Sequence, residues 1–113
     1  MSPLRDELDV FRKALREAEA AYSLHAIEEM GEEGITFEEI HAAVLGSEAA
    51  IIESRRDDPR GESHLVCDRT LEGRPLHIMF GIARRPVKVV TVYRPDLHPE
   101  EWQADFRTRR RKS

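Results

Sequence analysis

The chain has 113 residues, 40% of them hydrophobic and 35% charged, with a formal net charge of −4. That length suits one domain around one modest core, and no apolar run approaches the length of a membrane span, so no membrane partner is expected. The start, MSPLRDELDVF, is charged and lacks the continuous apolar centre of a signal peptide; a cytoplasmic location is the expectation.

Apolar residues at Leu4, Leu8, Phe11, Leu15, Ala18 and Tyr22 recur every three or four positions, which predicts a helix over residues 3–22. Pro3 suits its first position, where a missing N–H costs nothing. Ser23 can cap a second helix over residues 24–32, with Leu24, Ile27 and Met30 facing inward and Gly34 as its stop. The stretch TFEE, residues 36–39, has the form of a capping box. It opens a third helix with Phe37, Ile40, Val44 and Leu45 on its apolar face, ending near Gly46.

From residue 50 the pattern becomes alternating. AIIESR, SHLVCDRT, PLHIMFGIA and VKVVTVYR read as four successive strands. Asp57, Asp58, Pro59 and Gly61 form the first turn, and Glu72–Gly73 and the RRP stretch the next two. Short connectors favour an antiparallel meander. Pro99 then opens an expected C-terminal helix, PEEWQADFRTRRR, with Trp102 and Phe106 four apart and a charge gradient that suits the helix dipole. The expected core is Leu8, Phe11, Leu15, Ile27, Met30, Phe37, Ile40, Val44, Ile78, Phe80 and Trp102.

The net charge hides an asymmetry. Residues 1–53 hold 4 Lys/Arg against 13 Asp/Glu, a balance of −9, and residues 54–113 hold 14 against 9, a balance of +5. Such a split marks either an interaction surface or acidic helices packed on a basic sheet.

Cys67 is the only cysteine, which excludes an internal disulfide. Its apolar neighbours suggest a buried, inert thiol. No two of the five histidines stand four apart on one expected helix, and His64 and Cys67 point to opposite sides of a strand, so no metal site and no cofactor are expected. His25 sits beside Leu24 and Ala26, the setting of a structural histidine. His77 shares a strand face with Met79, away from Leu76, Ile78 and Phe80. That face is either solvated or concave. An imidazole there can exchange a proton near neutrality, and Arg74, Lys88 and Arg94 can bring positive charge to a phosphate. Tyr93 and Arg94, being adjacent on a strand, point opposite ways unless the strand ends or bulges there.

The succession YSLHAIEEMGEEGITFEEI, AAIIESRRDDPRGESHLV, GRPLHIMFGIA, VVTVYRPD and EWQADFRTRRR resembles the domain-of-unknown-function family numbered four-two-five-eight, from Tyr22 to Arg111. Residues 1–21 form an added N-terminal helix outside it, and residues 22–111 a toxin-like domain. Members of that family look like small bacterial proteins of the RelE/MqsR/BrnT toxin type. The resemblance therefore implies an α+β fold, messenger-RNA cleavage, and a cognate antitoxin carrying a zinc-ribbon or DNA-binding domain. Carried onto this chain, the recurrent polar positions of the family are His25, Arg74, His77, Tyr93 and Arg110.

Together these readings give one α+β domain, with N-terminal helices and a C-terminal helix on a four-stranded, mostly antiparallel, RelE-like sheet. The leading function is a metal-independent ribonuclease with His77 and Tyr93 as catalytic residues. Arg74, Lys88, Arg94 and Arg110 would hold RNA. The rival is a non-catalytic interaction or regulatory protein, an inactive toxin relative in which His77 is part of the fold.

Overall fold

The computed structural model describes residues 7–82 and 86–110. Pro3, Arg84, Arg85, Arg111 and Lys112 lie outside the described residues. The elements run α1 (Glu7–Arg16), β1 (Ala21–Tyr22), α2 (Leu24–Glu33), α3 (Phe37–Leu45), β2 (Ala50–Arg55), β3 (Ser63–Arg69), β4 (Pro75–Gly81), β5 (Lys88–Tyr93) and a short 3-10 helix (Pro95–Leu97). The strands form one mixed sheet in the order β1-β5-β4-β3-β2. β1 pairs parallel with β5, and every other pairing is antiparallel.

The helices cover one sheet face. Phe11 stacks on Phe80 with ring centroids 4.3 Å apart, and Leu8, Leu15, Ala26, Met30, Ile40 and Val44 pack around Val66, Leu76, Ile78, Val89 and Val92. Helix ends are satisfied locally. Ser23 accepts from the Ala26 N–H while its hydroxyl donates to the Val90 carbonyl, so one side chain both starts α2 and ties it to β5. Thr36 and Glu39 form the expected capping box. The carbonyls at the end of α3 accept from the guanidinium of Arg12, which reaches Val44 at 2.8 Å and Gly46 at 2.7 Å.

β1 is too short to cover the edge of β5, and α2 completes the cover with carboxylates. The Val92 N–H donates to Glu29 and the Arg94 N–H to Glu33, at 3.0 and 2.7 Å. These two donors are alternate residues of the strand edge, and the acceptors stand four apart on the helix, so helix pitch and strand spacing match closely enough for both bonds.

Several expectations need correction. Among the described residues the sheet has five strands rather than four, because Ala21 and Tyr22 leave the first helix and add a parallel edge strand. α1 ends at Arg16, where Ala18 takes a left-handed backbone (φ 55°) that a helix cannot continue. The C-terminal helix is absent among the described residues. The Asp105 carboxylate instead accepts the N–H groups of Arg107 and Thr108, Phe106 is left-handed, and Trp102 bridges to Arg109. Side-chain capture of backbone donors competes with a helix. Burying Trp102 and part of Phe106 on the sheet, worth about 2–3 kcal/mol for each full ring, outweighs helix propensities of less than about 0.7 kcal/mol per residue. Ile27 and Phe37 are 42% and 47% exposed and Leu24 is 74% exposed, so these three do not belong to the core. The other nine expected core residues are buried.

Candidate functional site

The sheet face away from the helices carries three cross-strand rows. Cys67, His77 and Tyr93 form one row, Leu65, Met79 and Thr91 the next, and Ser63, Gly81 and Lys88 the third. Arg55 extends the third row onto β2. A bulge at Val90, between the pairs of Met79 and Phe80, keeps Lys88, Thr91 and Tyr93 on this side.

The first row is sealed. Residues 98–110 fold over it, and His77 is completely buried. Its Nε2 lies 2.6 Å from the Phe106 carbonyl, which can only accept, so Nε2 carries the proton. Its Nδ1, 3.0 Å from the Tyr93 hydroxyl, is then the acceptor. Trp102 stands edge-on to the imidazole at 4.4 Å. Burial pushes the His77 pKa down to about 4 and raises that of Tyr93 well above the ordinary phenol range. The Cys67 thiol donates to the same Phe106 carbonyl, and its pKa is driven up to about 11 by burial. The cover is pinned from outside: Arg109 lies 4.5 Å over the Trp102 ring and binds Glu53 at 2.6 and 3.2 Å, and Arg107 donates to the Glu48 carbonyl.

The third row is open. It floors a cleft of about 430 Å³ bordered by Arg55, Arg60, Lys88, Ser63 and Thr91. Asp58 also lines it, but is bound to Arg60, and Glu62 is bound to Arg56 and His64. Among the described residues, Arg55 and Lys88 are the lining cations that form no salt bridge, although Arg55 is close enough to Asp58 to help Arg60 lower its pKa.

His77 and Tyr93 are thus brought together, directly opposite on neighbouring strands. The expected phosphate ligands are scattered. Lys88 alone reaches the cleft. Arg74 is held by Asp96 through two bonds of 2.9 and 3.3 Å. Arg94 is 4% exposed and lies on the helix side, donating to the carbonyls of Glu33 and Gly34 and to both oxygens of Glu39. It closes the end of α2 and braces the start of α3. Arg110 donates to the Pro99 carbonyl. His25 is on the outside of α2, 3.4 Å from Glu29. None of these four shares the His77 row.

Arg55, Arg60 and Arg109 were not among the expected site residues. The outward alternation of the first two long strands carries Arg55 to the cleft row. Arg109 gave no such signal, because its place depends on the irregular path of residues 98–110.

No curated protein and no solved structure matches the chain. The family model described as Domain of unknown function (DUF4258) matches residues 22–94, from β1 to the residue after β5. The strands β2 to β5, the second residue of β1, and both α2 and α3 fall within that span, and the chain belongs to this family.

Proposed function

We propose that the chain is a RelE/MqsR-like toxin relative that, in its closed form, binds RNA without cleaving it. The observation that carries this reading is the commitment of both ring nitrogens of His77 beneath the cover of residues 98–110. A general base needs a free nitrogen within reach of its substrate, and this imidazole offers none. The open cleft with Arg55 and Lys88 supplies the binding element, since cations along a groove hold a phosphate backbone mainly by releasing counterions. Titration of a labelled single-stranded RNA against increasing salt tests it. Arg55→Ala and Lys88→Ala are each expected to lower the logarithmic salt slope by about 0.7, with the RNA recovered intact. Equal binding by the double variant rejects the cleft.

A second reading, a metal-independent ribonuclease, draws on the alignment of His77 and Tyr93 in a row continuous with the cleft floor. It requires the cover to lift. Glu53→Gln removes the shorter of the two carboxylate pairs of Arg109, leaving the 3.4 Å pair with Glu101, and alters no side chain in contact with His77. Appearance of RNA cleavage in that variant, and its loss on adding His77→Ala, would establish the nuclease. A cognate antitoxin in the cytoplasm is the partner implied by the toxin likeness. Co-purification with the product of the neighbouring reading frame tests that association.

A further inference from the structure

We infer that the outer face of α2, with the start of α3, is a docking surface for a basic, amphipathic helical segment of a partner protein. Leu24, Ile27 and Phe37 are large apolar side chains left exposed on two successive helices. Phe37 packs edge-on against Tyr22, which immediately precedes the Ser23 cap of α2, at 4.9 Å, so the apolar surface runs from one helix to the next. Leu24, Ile27 and Gly31 fall on one stripe of α2 by helical spacing. Gly31 is the independent observation. A glycine inside a helix is unfavourable relative to alanine, yet a Cβ at Gly31 would meet nothing within 4 Å, and its torsion is not one of the positive-φ glycines. The fold itself therefore gives no reason for its small size, whereas a side chain pressed onto the stripe from outside would need that notch.

The charge around the stripe selects the occupant. α2 carries four glutamates and neither lysine nor arginine. Glu29 and Glu33 are used on β5, but Glu28 and Glu32, with Glu38 on α3, are exposed and unpaired among the described residues. Apolar residues edged by unpaired carboxylates complement a helix with a leucine-type stripe flanked by lysines or arginines.

The probe is a synthetic Leu/Lys amphipathic helical peptide, compared with a scrambled peptide of equal composition, by amide chemical-shift mapping on the full chain. Shifts centred on residues 24–38 are expected, with affinity lowered at least about tenfold by Leu24→Ser. Gly31→Ala should raise Tm by a few degrees, roughly 4 °C, while weakening the peptide. That opposite pair of effects is one a purely structural glycine would not give. Equal binding of the scrambled peptide, shifts centred on the Arg55–Lys88 cleft, or unchanged affinity in both variants would overturn the inference. So would a dimer in sedimentation that Leu24→Ser dissociates, since the occupant would then be a second copy.

Discussion

The two ends of the outer sheet face start from the same alternation and finish in opposite chemistry. At one end His77 meets Trp102 and Phe106 and becomes interior, with Tyr93 half-buried beside it. At the other Arg55 and Lys88 stay solvated around a cleft. The strands are continuous across both ends, so the difference is made by thirteen residues of irregular chain, 98–110. A strand pattern decides which side a residue points to; what covers that side decides whether it is a reagent or a structural group.

The comparison can be broken first from the helix side. Phe80→Ala removes a fully buried ring stacked on Phe11 and is expected to cost about 3–5 kcal/mol in urea unfolding. A loss below about 1 kcal/mol would mean that the helix face is not the main core. The sealed end comes next. His77 should stabilise the fold fully above its unfolded pKa, near 6.5, where it is neutral in both states. As pH falls from 6.5 towards 4, the unfolded state takes up the proton first and stability drops, by at most about 3 kcal/mol. His77→Ala should show a weaker acid dependence than the native chain over that window, besides a loss of roughly 2–3 kcal/mol at neutral pH from the orphaned Tyr93 hydroxyl and a Phe106 carbonyl left with only the weak Cys67 thiol donor. Parallel pH curves for the two proteins would place His77 in water.

Smaller effects sharpen the contrast. Cys67 should react slowly with a thiol reagent, because burial keeps it protonated. Arg109→Ala removes only partly exposed ion pairs and a ring contact, worth about 1 kcal/mol together. It should nonetheless speed Cys67 labelling several-fold if the cover opens as a unit. The least effect on stability belongs to Arg55→Ala and Lys88→Ala, each within about 0.5 kcal/mol. Their consequence should appear in anion binding alone.

Much of this was legible in the chain. The Thr36–Glu39 box, the Gly34 stop and the four long strands follow from local chemistry, and Tyr93 and Arg94 do point to opposite faces. The shared row of His77 and Tyr93 was not, because it depends on the register across a bulged hairpin. Trp102 and Phe106, four apart, carry a helical signal. They serve instead in a cover whose geometry is set by Asp105 and by the depth of the sheet beneath. The arginines misled most. A guanidinium suits a phosphate, a carboxylate and a helix-end carbonyl equally well. Only the fold shows that Arg74 and Arg94 have already chosen the latter two.

The carboxylates of Glu29 and Glu33 on the margin of β5 bear on how molecules of this chain stay apart. An uncovered strand margin is a template for intermolecular β-pairing and, in the extreme, for fibrils. Here two side chains occupy the amide donors that an invading strand would use. The protection is ionic on one side, and burial already raises the Glu29 pKa. Acidification therefore weakens a gatekeeper at the same time as it loosens the His77 end, which couples colloidal stability to pH at a place remote from the cleft.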